Sequence, residues 1–91
     1  MSTYMVVATF SPATDLPAMN TVIAEEVAQV DRLSAEGRLG SLHISPSRGA
    51  VFLEVHADDE LAARATVQTL PMARWWDLDI FPLMTPQIPA A

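Results

Sequence analysis

The chain has 91 residues and a formal net charge of −6, and 51% of its residues are hydrophobic. This length allows one domain, and the absence of cysteine excludes disulfides, cysteine-type zinc sites and thiolate catalysis. The five basic residues are scattered arginines, so neither nucleic acid nor an anionic membrane surface is an expected partner. No apolar run approaches the roughly 20 residues of a membrane span. The first residues lack the pattern of a signal peptide, which favours a cytoplasmic location.

The first half of the chain predicts a strand, a long helix and a second strand. Residues 4–10 are β-branched and aromatic, interrupted only by Thr9, which indicates a strand buried on both faces. Apolar residues recur at helical spacing over residues 16–36, and Gly37 follows as a helix-ending residue. Residues 39–45 then alternate between apolar and polar side chains, as is typical of a strand.

The second half predicts a strand, a helix and a last strand. The Pro-Ser-Arg-Gly run at residues 46–49 is a turn signal, and residues 50–57 alternate again, so a β-hairpin is expected. A second helix is predicted over residues 61–70, after three acidic residues that favour a helix N-terminus. Its predicted apolar stripe consists of Leu61, Ala65, Val67 and Leu70. The last strand is predicted over residues 75–83.

The order β-α-β-β-α-β predicts a ferredoxin-like α+β fold. Such a fold has a four-stranded antiparallel sheet with two helices on one face, here as a single domain at residues 1–84. Residues 85–91 contain two prolines and are expected to form an extended C-terminal arm.

The sheet face away from the helices is predicted to be half apolar and half charged. Its apolar members are expected to be Met5, Val7, Phe52 and Phe81. A surface of this kind is unfavourable in water, so we expect a second copy of the chain to pack against it. The predicted assembly is a dimeric α/β barrel or a larger homo-oligomer.

The end of the first helix and the approach to the last strand carry recognisable motifs. Residues 32–37 read Arg-Leu-Ser-Ala-Glu-Gly, and residues 70–80 read Leu-Pro-Met-Ala-Arg-Trp-Trp-Asp-Leu-Asp-Ile. Together they resemble the muconolactone delta-isomerase family of the dimeric α/β-barrel superfamily, over residues 4 to about 83. The resemblance implies a homo-oligomeric isomerase that shifts a double bond in a lactone by proton transfer beside a carbonyl, with no metal or cofactor.

The resemblance also implies roles for two residues. The family's acid late in the first helix falls on Glu26, which implies a general acid/base role. A polar residue of the β2–β3 turn, a histidine in the isomerase, falls at or beside Arg48. Arginine cannot act as a base at neutral pH, but it can stabilise an enolate or a carboxylate. A related substrate is therefore expected rather than muconolactone itself.

Four further residues are candidates for substrate binding. Trp75 and Trp76 are adjacent, so we expect one to pack in the core and the other to wall a pocket or anchor an interface. Tyr4 is expected on the helix-facing side of its strand, where it could donate a hydrogen bond to a ligand or fill the core. His43 is expected to face away from the helices, as an acid/base group or an interface residue.

The predicted function is that of a cofactor-free isomerase or cyclase that moves a proton on a small lactone or carbonyl compound. One alternative is a cofactor-free cyclase or monooxygenase that tailors aromatic polyketides, since one fold serves many chemistries. Another is a non-catalytic homo-oligomer that binds a small ligand. The sequence has no glycine-rich phosphate loop and no histidine pair at metal spacing, so neither a nucleotide cofactor nor a metal is predicted.

Overall fold

The structure, a computed structural model, describes residues 1–84, and the predicted arm at residues 85–91 lies outside them. The strands are β1 (Ser2–Phe10), β2 (Leu39–Ser45), β3 (Ala50–Ala57) and β4 (Trp76–Leu83), and the helices are α1 (Leu16–Asn20), α2 (Ile23–Ala35) and α3 (Glu60–Gln68). This arrangement confirms the predicted ferredoxin-like α+β class. Within residues 1–84, no helix is both long and apolar enough to cross a membrane.

The four strands form one antiparallel sheet in the order β2-β3-β1-β4. The predicted hairpin joins β2 to β3 through a short 3₁₀ turn, Pro46–Arg48. Gly49 follows this turn with φ of 59°, a left-handed conformation that glycine adopts without a steric penalty.

The core lies between the helices and one face of the sheet. Tyr4, Val6 and Ala8 of β1 are buried there, because alternate side chains of a strand point to the same face. The largest fully buried side chains are Leu33, Leu53, Leu70, Val6, Val55, Val67 and Thr66. The prediction that β1 is buried on both faces is confirmed only for this face, since Met5 and Val7 on the other face are half-buried in the single chain.

The predicted single helix over residues 16–36 is wrong, because the structure divides it into α1 and α2. The break lies at Thr21, whose hydroxyl donates to the carbonyl of Ala18 at 2.6 Å, and whose backbone N–H also points to that carbonyl. Threonine side chains that bond the local backbone compete with continued helix formation. The interruption sets the start of α2 and hence the direction in which its side chains point.

The predicted apolar stripe of the second helix is also partly wrong. Leu61 is 77% exposed, and the buried residues of α3 are Ala63, Thr66 and Val67. The helix begins earlier than predicted, with Asp59 as its N-cap accepting from the N–H of Ala62 at 2.7 Å. The buried residues Ala63, Thr66 and Val67 have the i, i+3, i+4 spacing of one helical face. Leu61 does not lie on that face.

Candidate active site

A cavity of about 320 Å³ lies between α2 and the helix-facing side of the sheet. Its volume falls within the range of about 300–1,000 Å³ that is usual for small-molecule sites. The residues that α2 contributes are Ile23, Glu26, Val27, Val30 and Asp31. Except for the two acids, this wall is apolar.

The sheet and the segment before β4 form the rest of the lining. The sheet contributes Phe10, Leu42, Ile44, Val51 and Trp76, and the segment contributes Met72. The cavity opens between α2 and β2, because Val27 and Ile44 line it and are 55% and 62% exposed. A ligand in this cavity would therefore contact mainly hydrocarbon.

Glu26 is the only charged residue of the described chain that is buried, at 9% exposure. It lies on the inward face of α2, one helical turn before Val30, which also lines the cavity. Its Oε1 accepts a hydrogen bond from the backbone N–H of Met72 at 3.0 Å, and no donor within residues 1–84 reaches Oε2. The carboxyl group is thus held in place by one oxygen while the other remains available for a proton.

Burial raises the pKa of Glu26, because an apolar environment disfavours the charged carboxylate. The hydrogen bond from Met72 opposes this rise, since it stabilises the ionised form, but its effect is the smaller one. A carboxyl group with a raised pKa exchanges protons more readily near neutral pH than an exposed glutamate does. The site therefore holds one positioned carboxyl group with a raised pKa.

Trp76 forms another part of the cavity wall and is 9% exposed. Its ring packs edge-to-face against Phe10, with the centroids 6.1 Å apart and the planes at 84°. The indole Nε1 is buried, and it has no hydrogen-bond acceptor within residues 1–84. A buried donor without an acceptor is unfavourable unless something else supplies one.

The cavity brings together two of the six predicted site residues, Glu26 and Trp76. Tyr4 faces the helices, as predicted, but packs in the core and does not line the cavity. Arg48 is exposed in the 3₁₀ turn, and His43 is exposed on the open face of the sheet beside Phe52.

Trp75 also lies outside the lining of this cavity. It is half-buried at the end of a second 3₁₀ turn, Pro71–Trp75, and the guanidinium of Arg74 lies 5.0 Å from its ring centroid. The binding roles of Tyr4, His43 and Trp75 and the catalytic role of Arg48 therefore stay predictions.

Sequence reasoning missed the contribution of Met72, which positions Glu26 through its backbone N–H. A backbone donor cannot be recognised from residue type, because every residue except proline carries the same N–H group. Sequence reasoning also missed Phe10 and Val30 as cavity residues. Within residues 1–84, no three histidine, aspartate or glutamate side chains cluster in a way that could hold a metal ion.

Comparison with known families assigns the chain. A sequence model described as muconolactone delta-isomerase matches residues 3–87. The chain belongs to the muconolactone delta-isomerase family. The match covers the whole cavity lining, including Glu26 and Trp76. A comparison with individual curated proteins found no match.

Proposed function

We propose that this chain is an isomerase that moves a proton between two carbon atoms of a small unsaturated lactone or related carbonyl compound. Membership of the family supports an isomerase-like function. The observation that carries the proposal is Glu26, a buried carboxyl group with one free oxygen in a ligand-sized apolar cavity.

Glu26 acts first as a base and then as an acid in the proposed reaction. The substrate is an α,β-unsaturated lactone with a hydrogen on its γ carbon. Oε2 of ionised Glu26 takes this proton, and the electron pair of the broken C–H bond forms the β,γ double bond. The former α,β pair moves toward the carbonyl and gives a dienolate. Protonated Glu26 then returns the proton to the α carbon, so the product is an isomer and the carboxylate is restored.

The surroundings of Glu26 favour this chemistry for two reasons. Its raised pKa brings the carboxyl group closer to the operating pH, where a group that both accepts and donates a proton is most effective. The hydrogen bond from Met72 fixes the carboxyl orientation, and a fixed catalytic group avoids an entropic cost during the reaction. This proton transfer is redox-neutral and needs no electron acceptor.

The direct test compares Glu26→Gln with Glu25→Gln in a lactone isomerase assay. Purified protein is mixed with muconolactone or its methyl ester, and the double-bond shift is followed by ultraviolet absorbance. Loss of the acid/base group should lower kcat by about 100-fold or more. Glu25 is exposed and does not line the cavity, so its variant should retain full activity. Equal turnover by the two variants would overturn the proposal.

We also propose that the open face of the sheet is covered by a second copy of this chain. The register places Phe52 beside Val7 and Phe81 beside Met5, so apolar side chains occupy the middle of this face. Phe52 and Phe81 are 36% and 45% exposed in the single chain. Sedimentation of the wild type should give a dimer or a larger homo-oligomer, and Phe81→Asp should shift it toward the monomer. A monomeric wild type would contradict this proposal.

A further inference from the structure

The hydrogen bond that holds Glu26 comes from a short turn before β4. This turn is the 3₁₀ segment Pro71–Trp75, and the donor is the backbone N–H of Met72 near its start. The first N–H groups of a helical segment have no acceptor within that segment, so they are available to a carboxylate from elsewhere in the chain. The position of the Glu26 carboxyl group therefore depends on the shape of this turn.

The two ends of the turn are fixed by the rest of the fold. Leu70, directly before the turn, is 2% exposed. At the other end, the backbone N–H of Ser11 donates to the carbonyl of Trp75 at 2.7 Å. Hydrogen bonds within a 3₁₀ segment have poorer geometry than those of an α-helix. A side chain that braces the middle of the turn can therefore affect its shape.

Arg74 makes two side-chain contacts within the turn. Its Nε–H donates to the carbonyl of Pro71 at 3.1 Å. Its guanidinium lies 5.0 Å from the ring centroid of Trp75, a distance at which a cation is attracted to the face of an indole. Arg74 thus connects the first residue of the turn to the last.

The carbonyl of Pro71 and the N–H of Met72 belong to one planar peptide unit. Arg74 holds the oxygen of this unit, and Glu26 accepts from its nitrogen. A hydrogen bond to the carbonyl limits rotation of the whole unit. It also polarises the amide, which strengthens the N–H as a donor. The two hydrogen bonds are therefore expected to support one another.

We propose that Arg74 is a positioning residue for Glu26 and acts through the peptide unit between Pro71 and Met72. This inference rests on the proposed function, because it takes Glu26 as the group that moves the proton. Arg74 is exposed and does not line the cavity, so it is not expected to touch the substrate.

Loss of the Arg74 side chain should weaken the hydrogen bond to Glu26 and raise the pKa of that carboxyl group further. Burial is the larger influence on this pKa and raises it, whereas the bond from Met72 stabilises the ionised form and lowers it. The other ionisable residue that lines the cavity is Asp31, which is the same in every variant. A change in the titration of Glu26 therefore reports on the turn.

Arg74→Lys and Arg74→Gln separate the two contacts from the positive charge. Lysine keeps the charge but lacks the planar guanidinium, so it cannot hold the carbonyl and the indole in the same geometry. Both variants should therefore raise the pKa of Glu26, whereas a purely electrostatic effect would raise it only in Arg74→Gln. Arg64→Gln is the matched control, because it removes an arginine from α3, outside the turn.

Nuclear magnetic resonance measures both hydrogen-bond partners without turnover. The carboxyl carbon of Glu26 is followed as pH rises, and the amide proton of Met72 is followed by its exchange rate with solvent. The Met72 proton should exchange about two- to tenfold faster in both Arg74 variants than in the wild type or Arg64→Gln. The Glu26 titration should move to higher pH in the same two variants. Unchanged exchange and titration in the folded Arg74 variants would overturn the inference, and so would a shift in Arg74→Gln alone.

The two proposals fail in different ways. If the Arg74 variants shift the titration of Glu26 but Glu26→Gln retains isomerase turnover, the proposed function is wrong and the link from Arg74 to the carboxyl group stands. If Glu26→Gln loses turnover while both Arg74 variants titrate as the wild type does, the role of Arg74 is wrong and the proposed function stands.

Discussion

Replacement of Glu26 by glutamine should alter how the stability of the folded protein depends on pH. Glutamine has the same shape, carries no charge, and retains an oxygen that can accept the N–H of Met72. Burial raises the pKa of Glu26 in the folded state, and this rise already includes the opposing hydrogen bond. A folded-state pKa that lies one pH unit above the unfolded-state pKa corresponds to about 1.4 kcal/mol.

The direction of the effect follows from proton binding. Between the two pKa values, the folded protein binds more protons at Glu26 than the unfolded chain does. The contribution of Glu26 to stability is therefore fully present below the unfolded-state pKa and is lost as pH rises through the folded-state pKa. An ion-paired carboxylate has the opposite pH dependence, because its folded-state pKa is lowered and its contribution to stability is lost as pH falls. Relative to the wild type, Glu26→Gln should become more stable as pH rises, by about 1.4 kcal/mol for each pH unit that separates the two pKa values.

Urea denaturation at fixed protein concentration, from about pH 3 to about pH 8, measures this difference. Glu25→Gln is the matched control, because exposed Glu25 lies beside Glu26 in the same helix. The free energy of unfolding of this control should follow that of the wild type at every pH. Parallel curves for the wild type and Glu26→Gln would contradict this prediction, because they would mean that ionisation of Glu26 does not oppose folding.

Three further substitutions test the fold around the site. Leu33→Ala removes a side chain that is 1% exposed, so it should lower the unfolding free energy in urea by about 2–5 kcal/mol; a loss well below that range would contradict its place in the core. Asp59→Ala removes the cap of α3 and should cost about 1 kcal/mol in the same assay, whereas Asp58→Ala, beside it, should not. Gly49→Ala should lower the thermal midpoint through a loss of about 1 kcal/mol, because φ is 59° there and no atom lies within 4 Å of an added Cβ. An unchanged midpoint would contradict this backbone conformation.

The sequence predicted the sheet well because each strand has a clear local pattern. The alternation of apolar and polar residues predicted the bounds of β2 and β3 that the structure shows. The turn at residues 46–49 joins these two strands, as expected. The break at Thr21 was missed because hydrophobic spacing continues across it. The hydroxyl of Thr21 donates to the carbonyl of Ala18 at this break, and hydrophobic periodicity carries no information about such a bond.

The candidate site was predicted only in part for a similar reason. The family resemblance singled out Glu26, and the structure buries it on the same helical face as Val30. The adjacent tryptophans predicted that one packs inside, but the length of the 3₁₀ turn Pro71–Trp75 decides that it is Trp76. The turn at residues 46–49 was predicted from the sequence. No local sequence pattern indicates where the exposed side chain of Arg48 points.

We expect Glu26 to take a proton from carbon, and the rate of C–H cleavage tests this expectation. The methyl ester of muconolactone is incubated with protein in D₂O, and the proton signal of its γ carbon is followed by nuclear magnetic resonance. This signal disappears whether the compound isomerises or exchanges with solvent. We expect rapid loss with the wild type and with Glu25→Gln, and loss slowed by about 100-fold or more with Glu26→Gln. Loss at the wild-type rate with a folded Glu26→Gln protein would contradict this expectation.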